Sequence, residues 1–145
     1  MLTVSDDSGP FGPIFRSYRH DARGAVARLL HERSGEAPAA LHHPEIGDID
    51  LVWGCEGSNR GDGSGLAKIT RWHPEMPADL QGPLDLMRVV SRSSNRARLE
   101  SATHYAVVSF DHFGNPKVWL LSAFAKSTRP APEGRWTFPE TVPVG

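Results

Sequence analysis

The sequence predicts an α+β domain, because helical periodicity comes early in the chain and strand-like stretches fill its last third. The clearest helical pattern is HDARGAVARLLHER at 20–33, where apolar residues recur at spacings of three and four. The strand-like stretches are 96–101, 104–111 and 117–125, and short polar segments separate them. Helices followed by an antiparallel meander are typical of the α+β class.

The first half of the chain is predicted to contain a helix, a strand and a loop. Asp21 is a suitable N-cap for the helix over 20–33, and Gly35 is a suitable stop. IDLVW at 49–53 predicts a short strand between glycines. EGSNRGDGSG at 56–65 predicts a loop, because four of its ten residues are glycine.

Two further helical segments precede the last three strands. GLAKITRWH at 65–73 places its apolar residues on one face, and Pro74 ends it because a residue before proline disfavours the helical region. A further helical turn is predicted over 80–87. The segment 112–116 has the length of a hairpin loop between the last two strands.

Prolines and glycines mark both ends of the 145-residue chain. We expect a flexible N-terminal segment at 1–13, one compact domain at 14–126 and a Pro-rich C-terminal tail at 127–145. In that tail, Trp136 and Phe138 are expected to dock on the domain.

The composition excludes several classes of protein. Sixteen basic and 17 acidic residues give a net charge of -1, which does not indicate a nucleic-acid or membrane partner. The single cysteine, Cys55, excludes an intrachain disulfide and a multi-cysteine zinc site. No apolar run approaches the roughly 20 residues that span a bilayer, and the start lacks the pattern of a secretion signal. We therefore expect a cytoplasmic protein.

The charge is nevertheless distributed unevenly. Residues 1–60 carry a net charge of -3, and residues 61–145 carry +2. The segment 88–98, RVVSRSSNRAR, contains no acid and four arginines, namely Arg88, Arg92, Arg96 and Arg98. Guanidinium groups bind phosphates in a forked geometry and stack on bases. A solvated hairpin rim explains the same segment.

No motif for a metal or cofactor stands out, and we expect neither. His42 and His43 are adjacent, so on a strand they point to opposite faces. Asp48 and Asp50 share a strand face and could form a paired-carboxylate or magnesium site, although alternation at the start of a strand explains them too. GDGSG at 61–65 resembles a phosphate loop or a nucleophile elbow only loosely.

A set of polar residues is suited to metal-free RNA cleavage. That reaction needs a base for the 2′-hydroxyl proton, an acid for the leaving 5′-oxygen and cations for the charged phosphorane. His73 is suited to proton transfer, Lys68 and the arginines supply positive charge, and Ser122 can bind a phosphate oxygen. Each residue taken singly also has an ordinary structural explanation.

Five segments carry a resemblance to a known family, namely GPIFRSYRHDARGAVARLL, HHPEIGDIDLVWG, GSGLAKITRWHPE, VVSRSSNRARLES and WLLSAFAK. They resemble the phage-associated and polymorphic-toxin nuclease domains of the Barnase–EndoU–colicin–RelE superfamily. The resemblance implies N-terminal helices packed on a roughly four-stranded antiparallel sheet. It also implies metal-independent endoribonuclease activity, often on tRNA, which leaves a 2′,3′-cyclic phosphate. Such domains act as toxins, often with a cognate immunity protein, in the producing or target bacterial cell or as part of a larger secreted or phage protein.

The resemblance also implies site residues. Lys68 stands where many relatives have a histidine, and His73 matches the histidine that ends that helix. Arg92 and Arg98 fall in the basic strand region, and Ser122 falls where the last strand offers a hydroxyl. A normal lysine is a poor general base at neutral pH, so His73 is expected to transfer protons while Lys68 and Arg92 stabilise phosphate.

The RNA itself is expected to be held by four further residues, which are Arg71, Arg88, Asn95 and Arg96. Two other functions stay open on the sequence. One is a non-catalytic RNA-binding or phage structural module, which would not depend on His73. The other is an enzyme that acts on a nucleotide cofactor such as NAD through the GSG loop.

Overall fold

A computed structural model describes residues 8–58 and 62–126. The expectations for the tail at 127–145, including Trp136 and Phe138, and for residues 1–7 lie outside the described residues. In chain order the elements are β1 (Ser8–Gly9), β2 (Gly12–Pro13), a 3-10 helix (Arg16–Tyr18), α1 (Ala22–Glu32), β3 (Glu36–His43), β4 (Gly47–Val52), α2 (Gly65–Trp72), α3 (Gln81–Asp85), β5 (Arg88–Arg92), β6 (Arg96–Glu100), β7 (His104–His112) and β8 (Asn115–Ala125).

Six of the strands form one mixed sheet in the order β3-β4-β8-β7-β6-β5. Neighbouring strands are antiparallel except for β4 and β8, which run parallel where Asp50 lies opposite Trp119. The strands β1 and β2 form a separate two-stranded sheet. Among the helices that the structure describes, none is long and apolar enough to cross a membrane.

The predicted arrangement of N-terminal helices on a four-stranded antiparallel sheet is wrong. The sheet has six strands and one parallel pair, and the helices α1, α2 and α3 have only 11, 8 and 5 residues. Two strands of this sheet, β3 and β5, and both strands of the small sheet, β1 and β2, are absent from the prediction. Pro38 and three alanines give β3 little strand propensity, and β5 has the sequence RVVSR, in which the charged residues stand out more than the strand pattern.

The other predicted elements are confirmed with small shifts at their ends. The Asp21 side chain accepts a hydrogen bond from the Gly24 N–H at 3.0 Å and so caps α1. The helix ends at Arg33, which adopts the left-handed conformation with φ 55°, two residues before the predicted stop. His73 is the C-cap of α2, and its N–H donates to the Ile69 carbonyl oxygen at 2.7 Å.

Part of the predicted N-terminal segment packs against the sheet. The Phe11 ring lies 4.6 Å from the His112 ring and 5.1 Å from the Trp119 ring. The Gly35 N–H donates to the Phe11 carbonyl oxygen at 2.7 Å. Gly35 has φ +99°, and a Cβ there would clash with the Pro13 carbonyl oxygen, so the contact requires glycine.

Strand alternation gives β6, β7 and β8 two different faces. One face supplies the core with small and aliphatic side chains, namely Ala97, Leu99, Ala106, Val108, Leu120 and Ala123. On the other face, cross-strand pairing forms a row from Arg98 through Val107 to Ser122 and a second row from Glu100 through Tyr105 to Phe124. This second face carries the candidate site.

Candidate functional site

A cavity of about 780 Å³ lies between the C-terminal end of α2 and the second face of the sheet. Its lining includes Lys68 and His73 from α2 and Ser122 from β8. These are three of the five residues that the sequence analysis assigned to catalysis. They come from positions up to 54 residues apart in the chain and meet in one recess.

The helix α2 positions two of these side chains because its apolar face is anchored in the core. Leu66 and Ile69 are fully buried. Lys68 lies between them in the sequence and lines the cavity, and His73 follows at the C-cap. Ser122 is only 5% exposed, so its hydroxyl lies deep in the recess rather than at its mouth.

His73 is held by an aromatic ring and accompanied by a carboxylate. Its ring stacks on Phe124 with centroids 4.9 Å apart and planes 25° from parallel. Glu75 also lines the cavity, and its Oε2 accepts a hydrogen bond from the Ala125 N–H at 3.0 Å. Burial acts to raise the pKa of Glu75, but the Ala125 hydrogen bond and the charges of His73 and His104 outweigh it and lower that pKa. Glu75 is therefore ionised beside His73.

Lys68 is partly desolvated by the cavity wall. Burial lowers the pKa of the Lys68 ammonium, and the nearby charge of Arg96 lowers it further. The carboxylate of Asp62 acts in the opposite direction. Hydrogen bonds from Ser58 and Gly63 lower the pKa of Asp62, and Lys68 contributes to the same shift. The charges of Asp62 and Arg96 thus act on the pKa of Lys68 in opposite directions.

The arginines of β6 lie on the same face of the sheet as Ser122. Arg98 is exposed and pairs across the sheet with Val107, which pairs with Ser122. Two strand spacings, about 10 Å, therefore separate the backbone of Arg98 from that of Ser122. An extended arginine side chain can span part of this distance. Arg96 is two residues earlier on β6, so it shares that face, and its charge acts on Lys68.

Arg92 does not join this cavity. It pairs with Ala97, whose side chain belongs to the core face, and its guanidinium lies 4.7 Å from the centroid of the Phe110 ring. Phe110 also packs against the core. Arg92 therefore lies on the opposite face of the sheet from Arg98 and Ser122, although only six residues separate it from Arg98 in the sequence.

The other predicted RNA contacts are exposed but dispersed. Arg71 lies over the Trp72 ring at 4.3 Å and beside the cavity, because Trp72 lines it. Arg88 lies 3.5 Å from the Glu45 carboxylate. Asn95 lies in the turn between β5 and β6, where it accepts a hydrogen bond from the Ser93 hydroxyl at 3.0 Å.

Seven cavity residues are absent from the predicted site, namely Trp72, Pro74, Glu75, Tyr105, Phe124, Ala125 and Lys126. Phe124 could have been found, because it is two residues after Ser122 and so shares its strand face. Glu75 closely follows His73 beyond the proline that ends α2. No local sequence pattern indicates that Tyr105 or Lys126 belongs to a site. The Lys126 ammonium donates to the Glu100 carboxylate at 2.6 Å and lies 4.8 Å from the Tyr105 ring centroid.

The two aspartates of the GDID segment do not converge on one site. Asp48 binds Arg19 at 2.9 Å and His20 at 2.7 Å, and the hydrogen bond from His20 is the main reason why the pKa of Asp48 is lowered. Asp50 instead binds the Lys117 ammonium at 2.7 Å. Within residues 8–58 and 62–126, no group of three His, Cys, Asp or Glu side chains could hold a metal ion.

Comparison of the chain with protein-family models, with curated proteins and with solved structures finds no match in any of the three. The resemblance to the nuclease superfamily therefore stays a prediction from the sequence segments.

Proposed function

We propose that this chain is a metal-independent endoribonuclease that cleaves RNA, with tRNA as a candidate substrate, and leaves a 2′,3′-cyclic phosphate. The observation that supports it is the convergence of Lys68, His73 and Ser122 in one cavity. Metal-free transesterification needs a proton carrier, a cation and a phosphate ligand, and His73, Lys68 and Ser122 respectively are suited to these roles. Their meeting in a recess is the arrangement that this chemistry requires.

In the proposed reaction the 2′-oxygen of one nucleotide attacks its own 3′-phosphorus. The bond between the 2′-oxygen and phosphorus forms, and the bond between phosphorus and the 5′-oxygen breaks. The 2′-hydroxyl loses a proton, and the leaving 5′-oxygen gains one. We assign the donation to His73, because it lines the cavity with Lys68 and Ser122 and imidazole is suited to proton transfer near neutral pH. The Glu75 carboxylate, which lines the same cavity, is the group that can accept the 2′-hydroxyl proton.

The remaining groups stabilise the phosphorane. Lys68 places a positive charge inside the cavity, where partial burial strengthens its attraction to an anion. The Ser122 hydroxyl can donate to a non-bridging phosphate oxygen. Arg96 and Arg98 extend the positive charge along β6 and are suited to the neighbouring phosphates. Arg92 lies on the other face and has no role in this proposal.

The test is an incubation of the purified protein with total tRNA in the presence of EDTA. We expect cleavage products with 2′,3′-cyclic phosphate ends, and a loss of rate of about 10²- to 10⁴-fold for His73→Ala. His31→Ala is the matched control, because His31 is an exposed histidine near the end of α1. It should cleave like the wild type.

Three outcomes would count against the proposal. The wild type could produce no cleavage, EDTA could abolish cleavage, or His73→Ala could cleave at the wild-type rate. RNA binding that weakens with salt and yields no product would instead indicate the non-catalytic RNA-binding module. A toxin role and an immunity protein stay predictions of the sequence resemblance.

A further inference from the structure

We infer that the aromatic wall of the cavity is a subsite for one unpaired nucleobase, so that the substrate is single-stranded RNA or a loop rather than a duplex. The aromatic wall consists of Trp72, Tyr105 and Phe124, which line the cavity beside His73. The inference rests on the proposed function in taking RNA as the polymer. It adds that the site accepts unpaired rather than duplex RNA, and that the side chains of the aromatic wall select the unpaired form.

The depth of the site is the first reason. Ser122 is 5% exposed, so a phosphate that reaches its hydroxyl must descend below the surrounding surface. The cavity has a volume of about 780 Å³, which is within the range of sites that enclose small ligands. The recess is open to solvent on one side and has room for about one nucleotide but not for a run of base pairs. Enzymes whose recessed sites take one nucleotide at a time act on extruded or unpaired nucleotides.

The aromatic wall is the second reason, because the core does not account for it. Trp72, Tyr105 and Phe124 have partly exposed side chains. They lie outside the hydrophobic core cluster, as do Phe11, Phe113 and Trp119 elsewhere in the described chain. By contrast, Phe15, Tyr18 and Phe110 pack against it. Partly exposed aromatic rings in a positively charged recess are the usual means by which proteins bind unpaired bases.

The geometry links this wall to the proposed chemistry. The Tyr105 and Phe124 rings have centroids 5.2 Å apart and planes 38° from parallel. Phe124 also stacks on His73, with ring centroids 4.9 Å apart, so the aromatic wall is in direct contact with the proposed proton donor. A base stacked on the wall would bring its own sugar and 3′-phosphate close to His73 and Ser122. Because every base has a π-face, we expect selection for the unpaired state rather than for one sequence.

The test is a binding experiment with 2′-fluoro RNA, which lacks the attacking hydroxyl and so cannot be cleaved. Fluorescence anisotropy would compare a labelled 12-nucleotide single strand, its perfect duplex and the same duplex with a one-nucleotide bulge. We expect the wild type to bind the single strand and the bulged duplex at least about tenfold more tightly than the perfect duplex. That preference corresponds to one stacked base.

The variants identify the wall as the source of the preference. Tyr105→Leu should lower single-strand affinity about 5- to 150-fold and leave duplex affinity unchanged, since stacking is removed and the cations are kept. Tyr105→Phe should retain the wild-type preference. Phe113→Leu is the matched control, because Phe113 is an aromatic residue 91% exposed in the turn between β7 and β8 and does not line this cavity.

Equal affinity for the single strand and the perfect duplex would overturn the inference, as would an unchanged preference in Tyr105→Leu or no binding of any RNA. The outcome separates this inference from the proposed function. A protein that shows the preference but cleaves no RNA disproves the function and leaves the subsite. A protein that cleaves duplex and single strand equally disproves the subsite and leaves the function.

Discussion

Replacing Lys117 with methionine is expected to destabilise the fold by about 3–5 kcal/mol. Lys117 on β8 places its ammonium 2.5 Å from the Glu36 carboxylate on β3 and 2.7 Å from the Asp50 carboxylate on β4. Only 14% of the Lys117 side chain and 4% of the Glu36 side chain are exposed. This ion triad joins three neighbouring strands and includes the parallel pair β4–β8.

The size of the loss follows from what methionine leaves behind. Without the ammonium, two carboxylates face each other in a largely buried site. The uncompensated buried charge, rather than the lost attraction, dominates the cost. Since a domain of this size is stable by about 5–15 kcal/mol, a large fraction of that stability would be lost. We expect the melting temperature to fall by roughly 10–20 °C.

The same triad predicts how stability depends on pH. Burial alone would lower the pKa of Lys117, but the hydrogen bonds to Asp50 and Glu36 raise it above 10.5 overall. A group whose pKa is raised on folding contributes stability that is complete below its unfolded pKa. That contribution is lost as pH rises through the folded pKa. The wild type should therefore lose stability above about pH 10.5, and Lys117→Met should lack this phase.

Circular dichroism during urea and thermal unfolding measures these effects. Lys117→Arg should retain most of the stability, and Lys126→Met should cost less than about 1 kcal/mol because its ion pair with Glu100 is more exposed. Combining Lys117→Met with Glu36→Gln and Asp50→Asn should recover part of the loss. The reasoning fails if Lys117→Met unfolds within about 1 kcal/mol of the wild type, or if the triple variant is no more stable than the single one.

Three further outcomes are expected. Arg98→Gln should reduce the slope of log affinity for single-stranded RNA against log salt by about 0.7. Arg92→Gln should not reduce cleavage, and an equal loss of cleavage in the two variants would refute the placement of Arg92 and Arg98 on opposite faces of the sheet. Lys68→Met should lower the rate of tRNA cleavage by about 10²- to 10³-fold with an unchanged circular dichroism spectrum, and an unchanged rate would remove Lys68 from the site. Asp21→Ala should cost about 1 kcal/mol in urea unfolding and leave cleavage intact, and no loss of stability would mean that the cap of α1 contributes nothing.

Elements with strong local signals could be predicted from the sequence. The helix α1 has a capping aspartate and apolar residues at helical spacing, and α2 has an apolar face followed by Pro74. The strands β7 and β8 are long and rich in apolar and β-branched residues. In each case the information lies within about ten consecutive residues, so no knowledge of the tertiary structure was needed.

The strand β3 lacked such a signal for a physical reason. Ala39 has φ 54°, and the register of β3 against β4 shifts between Ala37 and Leu41. This irregularity breaks the alternation that identifies a strand. The Ala39 N–H is instead bound by the Asp50 carboxylate at 2.8 Å. The contact that stabilises the irregular strand therefore comes from a side chain on the neighbouring strand β4, outside β3 itself.

The parallel pairing of β4 with β8 was also beyond local analysis. Asp50 and Trp119 are 69 residues apart, and α2, α3 and the strands β5–β7 lie between their strands in the chain. The charges that accompany this pairing, on Glu36, Asp50 and Lys117, have no shared pattern in the sequence. They acquire a common role only when the three strands become neighbours.

For the candidate site, residue chemistry was more informative than position. Lys68 and His73 could be predicted from one helix, and Ser122 could be predicted from its hydroxyl, which is suited to bind a phosphate oxygen. Phe124 shares the strand face of Ser122, but Tyr105 could not be placed beside it from the sequence, because the register shift between Val107 and Val108 changes the pairing that the hairpin turn alone would give. A single irregular pair decides which side chains of β7 and β8 meet across the sheet.

The arginine segment shows how strand geometry changes the meaning of a charge cluster. As a sequence, 88–98 contains four arginines and suggests one cationic patch. In the sheet, Arg92 faces the core side, whereas Arg96 and Arg98 lie on the sheet face that carries the cavity lined by Lys68. Three cations therefore serve the proposed site, and single-stranded RNA binding should show a salt slope of about -2. A chain with a net charge of -1 can supply that, because the cations need to be close to the phosphate rather than numerous.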